Sequence, residues 1–457
     1  MKSSTVRSSF VYAKNRFDGK YHLSDGFSVR RIIANCPYGN TLIRDITDDI
    51  YCPGIFKRTY LKSGVMFLGG GDIQKAEITS DKFLSKSKTP NWEILAIKKG
   101  WTLVTCGGTI GDTAFANKIL EKCWISQHVM RVIPSNRIKE GMLYSYLASK
   151  YGKLLLTTGT YGSVIPTLSS ENIAELPIPL FPESFQTTVD ALIQSSSLNR
   201  EKAASLLEEA NSVLEEYLKS GFHKEEFKTE AISSKRIISS LQYRLDPPAI
   251  INDGVKTMQS LTSLYPYKLI RDIDCKVYRP GIFKRNYVAN GIPYIKGSEI
   301  FLASPFRRCE HLSRTRTPFI DEMSLKEGQI LITCAGSVGD IKMITKEYEE
   351  KSSIGSQDII RLESSDNLFT KEFLFTYLQQ PFVYDYIQSM KYGSVIERVE
   401  PFHIESIPVI TPSPEVSTKI TNIIKEYMRC MYNAFSEEEK AIKLVENEID
   451  TWKTKDN

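Results

Sequence analysis

Short apolar runs punctuated by glycine fill the chain from about Leu42 to Ile133, among them Gly64-Val65-Met66-Phe67-Leu68 and Trp101-Thr102-Leu103-Val104-Thr105. Runs of this length between turn residues predict strands rather than helices. After Glu140 the pattern changes. Met142-Leu143-Tyr144-Ser145-Tyr146-Leu147-Ala148-Ser149 reads as a helix, and Phe373-Leu374-Phe375-Thr376-Tyr377-Leu378 echoes it. Proline-bounded strands follow each, Leu176-Pro177-Ile178-Pro179-Leu180 and Ile407-Pro408-Val409-Ile410. Residues 184–220 then contain neither proline nor glycine. A 4-3 spacing through Phe185, Val189, Leu192, Ser196, Asn199, Ala203, Leu206, Ala210, Val213 and Tyr217 predicts one long helix, which Gly221 is placed to end. A second such stretch, about 415–453, runs through Val416, Ile420, Ile423 and Tyr427. It slips by one position to continue through Met428, Met431, Phe435, Glu438, Ile442, Val445, Ile449 and Trp452. Two amphipathic helices of this length predict a mutual coiled coil, with Ser196 and Asn199 fixing its register; the alternative is that each lies on its own domain.

The pattern occurs twice because the sequence does. Pro-Gly-Ile-Phe-Lys-Arg stands at 53–58 and again at 280–285. Around it a collinear match extends from Arg16-Phe17-Asp18 and Arg244-Leu245-Asp246, through Leu42–Ile46 and Leu269–Ile273, to Thr105–Asp112 and Thr333–Asp340. Ser126-Gln127 answers Ser356-Gln357, and Tyr161-Gly162-Ser163-Val164-Ile165 answers Tyr392-Gly393-Ser394-Val395-Ile396. Two copies of one module therefore make up the chain. The boundaries read as a first globular domain at 1–183, a long helix at 184–220, a polar connector at 221–242, a second globular domain at 243–413 and a second long helix at 414–457. The fold class expected is α+β.

Composition adds limits. With 457 residues, 41% hydrophobic and 25% charged, the chain has length for two cores. No apolar run is long enough to span a bilayer, and the N-terminus lacks the apolar core of a secretory signal, so the cytoplasm is the expected location. The net charge of +5 is unevenly spread. Residues 1–183 hold 24 basic and 15 acidic side chains, 184–230 hold 5 and 9, 231–413 hold 23 and 21, and 414–457 hold 7 and 9. Basic globular parts alternating with acidic helical parts suit a polyanion binder whose helices face something else. The eight cysteines form no CxxC pair and have no histidine at ligand spacing; reduced, buried thiols are expected rather than a metal site or disulfide framework.

Two stretches invite catalytic readings. Gly107-Gly108-Thr109-Ile110-Gly111-Asp112 is glycine-rich, but no Lys-Ser or Lys-Thr follows as a phosphate-binding loop requires, and a tight turn between strands explains it. Asp246-Pro247-Pro248-Ala249 is similar to the Asp-Pro-Pro-Tyr loop of amino-methyltransferases, yet alanine stands where the base-stacking aromatic belongs, and a turn is the expected role. No histidine recurs in both copies; His128 falls opposite Asp358. No catalytic residue and no metal ligand is assigned.

Taken together, the paired Phe56-Lys57-Arg58-Thr59-Tyr60 and Phe283-Lys284-Arg285-Asn286-Tyr287 stretches, the Gly-Ser and Ile-Pro elements and a long helix after each module resemble the specificity subunit of type I restriction-modification systems. The resemblance covers nearly the whole length. It implies two target recognition domains reading the halves of a bipartite duplex DNA site, with the two helices packed as an antiparallel coiled coil that gives the chain a pseudo-two-fold axis. It also implies docking to methyltransferase subunits, two in number, that carry S-adenosylmethionine, with no cofactor in this chain. A restriction or translocase subunit is a further implied partner, and a membrane is not. Moderate divergence between the two globular parts fits two different half-sites.

On that reading, Lys57, Arg58, Lys284 and Arg285, common to both copies, hold the DNA backbone, whereas base readers sit where the copies differ. Lys82, Lys86 and Lys88 in the first copy and Arg307, Arg308, Arg314 and Arg316 in the second meet that condition. The alternatives from other classes are a self-contained DNA methyltransferase, or a nucleic-acid-binding adaptor of another defence system.

Overall fold

The computed structural model describes residues 24–158, 167–219, 249 and 252–453. The repeat elements at 16–18, 161–165 and 244–246, Gly221, the connector at 221–242 and Asp246-Pro247-Pro248 lie outside the described residues. The chain divides into two compact units, Met1–Glu201 with Asn433–Asn457, and Lys202–Tyr432. The division passes through both long helices, so each unit holds a stretch of each.

In unit 1 the described strands are β1 (Asn40–Leu42), β2 (Thr47–Tyr51), β3 (Val65–Leu68), β4 (Phe83–Leu84), β5 (Thr102–Thr105), β6 (Thr113–Phe115), β7 (Trp124–Ile125), β8 (Val129–Pro134) and β9 (Pro177–Pro179). An antiparallel sheet runs β2-β8-β5-β6, a smaller one runs β4-β3-β7 with β3 and β7 parallel, and β1 pairs with β9. The glycine-punctuated runs are strands, as their length predicted. The two-residue period explains why β5 is buried throughout and β8 over its first four residues, Val129 to Val132. Val104, Met130 and Val132 face one core, built with helices Asp25–Ala34, Glu140–Ala148 and Lys150–Thr158. Leu103 and Val129 face a second core shared with Leu68, Ile97, Leu120 and Ile125.

Unit 2 repeats this design with β10 (Tyr267–Leu269), β11 (Cys275–Tyr278), β12 (Tyr287–Val288), β13 (Ile292–Ile295), β14 (Glu310–Leu312), β15 (Ile330–Thr333), β16 (Ile341–Met343), β17 (Ile354–Gly355), β18 (Ile359–Ser364) and β19 (Pro408–Ile410). The sheets run β11-β18-β15-β16 and β12-β14-β13-β17, and β10 pairs with β19. The extra strand β12 stands where unit 1 has an isolated bridge between Leu61 and Phe83.

The glycine-rich segment is a hairpin turn in both units. Gly111 donates its N–H to the Thr105 carbonyl at 2.8 Å and Thr105 donates to that of Asp112 at 2.8 Å; Gly339, Thr333 and Asp340 repeat the arrangement at 2.9 and 3.0 Å. Gly108, Gly111, Gly336 and Gly339 all have φ between 76° and 93°, where a side chain is strained. A strand rather than a helix follows the turn, which removes the phosphate-loop reading.

The long helices span Glu183–Leu218 and Pro414–Asp450 and pack antiparallel within each unit. In unit 1, Ser196 Oγ donates to the Ala434 carbonyl at 2.6 Å, and Ser195 and Asn199 both donate to the Glu437 carboxylate, at 2.8 and 3.0 Å. In unit 2, Lys202 meets Glu426 at 2.6 Å and the Tyr217 hydroxyl donates to the Thr411 carbonyl at 3.0 Å. The two polar seam residues, Ser196 and Asn199, thus do make cross-helix hydrogen bonds. The buried face is broader than a two-position seam. Ile193, Leu214 and Leu218 are fully buried where Leu192, Val213 and Tyr217 are half-buried, because each helix packs on globular structure as well as on its partner. Ala441, Val445, Ile449 and Trp452 complete the first core of unit 1.

Candidate nucleic-acid interface

The Pro-Gly-Ile-Phe-Lys-Arg segment of unit 1 follows β2 as irregular chain, with Pro53 buried and Ile55 93% exposed. Phe56 packs edge-on against Phe67 of β3, with ring centroids 6.1 Å apart. The Arg58 guanidinium lies over both rings, at 5.8 and 5.4 Å, and donates to Gln127 Oε1 at 2.7 Å. Stacking and hydrogen bonding hold Arg58 in one place while Lys57 stays exposed.

Arg58 lines a cleft of about 860 Å³ whose walls are the hexapeptide segment, the Gly107–Thr109 turn, and Ser126, Gln127 and His128. These elements, scattered over some 75 residues of sequence, are largely the ones repeated in the second copy. Lys82 joins Arg58 in the cleft. Lys57 and Lys88 share a neighbouring concavity of about 510 Å³, and Lys86 sits 4.3 Å from the ring centre of Trp92, which is stacked on Trp124. The structure therefore mixes cations common to both copies with cations confined to the first. Lys57, Lys82 and Lys88 form no ion pair among the described residues. Among the described residues no carboxylate lines the larger cleft.

Unit 2 builds the equivalent place with different charges. Arg285 lies over Tyr294, the counterpart of Phe67, and donates to its hydroxyl at 2.9 Å. It also approaches Asp358, which replaces His128, at 3.6 Å. Arg279, which replaces Cys52, pairs with Glu400 at 3.1 Å. Asn286 donates to the carbonyls of Lys284 and Arg316 at 3.3 and 3.2 Å, and β12 pairs with β14, so the hexapeptide segment lies beside the strand carrying Arg314 and Arg316 at its end. Lys284, Arg314 and Arg316 are exposed and form no ion pair among the described residues. Arg307 closes a short 3-10 turn, Pro305–Arg307, with Arg308 next to it; both are exposed at the entrance to β14.

Sequence reasoning missed a residue beneath each site. Arg131 of β8 and Arg361 of β18 are fully buried, and burial pulls each guanidinium down to about 10. Arg131 donates to the carbonyls of Ser126, Val129, Leu95 and Ile125 at 2.9, 2.5, 3.2 and 2.5 Å. Arg361 donates to those of Ser356, Ile359, Met323 and Gly355 at 3.4, 2.9, 3.2 and 2.9 Å, at equivalent positions. Each arginine fastens the Ser-Gln wall of its site from below. The signal was available: both follow the repeated Ser-Gln by the same interval.

Two stretches, residues 55–202 and 274–443, match the family profile of the type I restriction modification DNA specificity domain. The chain belongs to that family. As a specificity chain, its function is DNA sequence recognition within a type I restriction-modification system. Similar solved structures include the type I restriction-modification S subunit from M. genitalium, at 13% identity and a TM-score of 0.37, covering 92% of this chain and 97% of that one. The HsdS subunit from Thermoanaerobacter tengcongensis has 14% identity and a TM-score of 0.28, covering 90% and 98%. A chain from a study of complex assembly and conformational transition of the type I R-M system has 15% identity and a TM-score of 0.28, covering 90% and 96%. No curated protein matches the specificity chain. Among its described residues no helix is long and apolar enough to cross a membrane, and no group of three His, Cys, Asp or Glu residues is placed to hold a metal.

Proposed function

We propose that each unit of this specificity chain reads one half of a split duplex DNA site, that two methyltransferase subunits dock on the long helices, and that the chain itself performs no chemistry. Methylation then depends on S-adenosylmethionine held by the partners, and a restriction or translocase subunit joins the same assembly in the cytoplasm. The observation that carries this reading is the convergence, in each unit, of repeated residues on one site that also carries exposed cations forming no ion pair among the described residues. Lys57, Lys82 and Lys88 in unit 1 and Lys284, Arg314 and Arg316 in unit 2 are chemically suited to phosphate and base-edge contact. Arg58 and Arg285, each fixed over an aromatic ring, suit backbone contact common to both halves.

Divergence at the matching positions supports two different half-sites. An acceptor such as Asp358 and a donor or acceptor such as His128 select different base edges. The test combines purified chain, duplex DNA and S-adenosylmethionine with and without a candidate methyltransferase partner. Methylation at a split site only when the partner is present is expected. Methyl transfer by the chain alone, or cofactor binding by it in calorimetry, would overturn the non-catalytic assignment.

A further inference from the structure

Cys52 and Cys106 are brought together by the sheet although 54 positions separate them. Cys52 follows β2 and opens the hexapeptide segment; Cys106 follows β5 and opens the glycine turn. Strands β2 and β5 flank β8 on either side, and at its entrance the two Sγ atoms lie 3.5 Å apart. The Cys52 thiol also donates to the Gln127 carbonyl at 2.6 Å, while Cys106 donates its N–H to that of His128 at 2.9 Å. Both cysteines line the 860 Å³ cleft, Cys52 half-buried and Cys106 buried. All eight cysteines are free thiols.

We propose that Cys52 and Cys106 form an oxidisable dithiol in the wall of the unit 1 cleft, closed to a disulfide by hydrogen peroxide. Cys52, the more accessible thiol, attacks the peroxide as its thiolate, becoming a sulfenic acid and releasing hydroxide, which leaves as water with the thiol proton. Cys106 then attacks that sulfur and displaces a second water, so two thiols and one peroxide give one disulfide and two waters. The surroundings divide the roles in this order. The hydrogen bond between the sulfurs holds the Cys52 thiol below the usual range, against burial and aided by the Arg131 charge; the same bond and burial push Cys106 up.

Bridging draws the sulfurs from 3.5 Å to about 2.0 Å and requires the two Cα atoms to approach within roughly 7 Å. The chain after Cys52 is irregular and absorbs that shift more readily than the paired strands, so the segment carrying Lys57 and Arg58 moves toward the glycine turn. Unit 2 is a built-in control. Arg279 occupies the position of Cys52 and acts on Cys334, the counterpart of Cys106, so no partner thiol stands there. Oxidation then affects one unit and spares the other. The effect on DNA rests on the function proposed above; the bridge does not.

The reduced full chain is exposed to hydrogen peroxide, its remaining thiols are blocked with N-ethylmaleimide, and the digest is read by mass spectrometry. A Cys52–Cys106 linked peptide is expected, absent in Cys52→Ser and Cys106→Ser and lost with dithiothreitol, while Cys334 stays alkylated. Both thiols alkylated after peroxide, sulfinic acid without a link, or links to other cysteines would overturn the proposal. In parallel, duplex binding by the oxidised chain is expected to weaken roughly tenfold, the scale of one charge-assisted contact, and to recover on reduction. Unchanged affinity in a bridged chain would overturn the coupling to DNA. A reduced chain that binds no duplex would count against the DNA reading and leave the linked peptide to decide on the bridge.

Discussion

Glu438 is a carboxylate in the apolar seam of the second long helix, and its surroundings allow its energetic role to be worked out. Arg200 of the first helix reaches it at 2.6 Å, with the two side chains 13% and 8% exposed. The Tyr144 hydroxyl donates to its other oxygen. Glu438→Ala strands a largely buried guanidinium and a buried hydroxyl, and loss of one partner from a buried pair costs about 3–5 kcal/mol. With a urea m-value of about 2–3 kcal/mol/M for a unit of this size, the unfolding midpoint should fall by roughly 1–2 M. Glu438→Gln keeps an acceptor for Tyr144 and should cost about half as much. Replacing the whole cluster, by Arg200→Met, Glu438→Leu and Tyr144→Phe together, removes every buried polar group at once and should leave stability within about 1 kcal/mol of the parent or raise it. The assay is intrinsic to the chain, since Trp92, Trp101, Trp124 and Trp452 all lie in unit 1 and their fluorescence reports that unit's unfolding. A triple variant as unstable as Glu438→Ala, or a single variant with an unchanged midpoint, would refute the argument.

Three other outcomes are expected. Arg131→Met leaves four carbonyls without their donor and should destabilise unit 1 by about 2–4 kcal/mol, and Arg361→Met should do the same to unit 2; urea unfolding followed by tryptophan emission should register the first and circular dichroism both. Burial alone would raise the Asp450 carboxyl, but hydrogen bonds from Lys150, Lys453 and Tyr151 outweigh it and hold the group well below the usual carboxylate range. A depressed folded-state value means that its stabilisation, about 1 kcal/mol after solvent screening, is present above about pH 4 and lost as the pH falls through the folded value. Asp450→Asn should therefore flatten the acid limb of a stability-against-pH curve and change little else. Arg58→Ala should weaken duplex binding about equally for all sequences and lower the slope of log affinity against log salt by about one, measured by anisotropy titration.

Much of this architecture was legible because the sequence states it twice. The hexapeptide, the glycine turns and the Ser-Gln pairs recur in order, and the structure gathers them into one site per unit. The absence of proline and glycine from 184–220 marked a helix that runs from Glu183 to Leu218. What stayed hidden depended on three-dimensional neighbours. A period of 3.5 residues finds the seam but not the second face, so Ile193 and Leu214 went unnoticed. Glu438 reads as a seam defect until Arg200 and Tyr144 are placed beside it. Arg131 and Arg361 look like two more surface cations, because burial of a guanidinium is set by carbonyls on strands that sequence alone does not align. Lys82 and Lys88 stand out in the sequence only because the copies differ there; that the fold sets them beside Arg58 and Lys57 is visible only in three dimensions.

The claim that each unit reads its own half of the target is tested most directly by methylome sequencing of cells expressing the chain with its methyltransferase partner. Lys82→Ala, Lys86→Ala, Lys88→Ala in one strain and Arg314→Ala, Arg316→Ala in another are compared with the parent. The account predicts that each variant relaxes the bases of one half-site and leaves the other half unchanged, with the affected half differing between the two strains. Both halves changing together, or the same half responding to both variants, would contradict it.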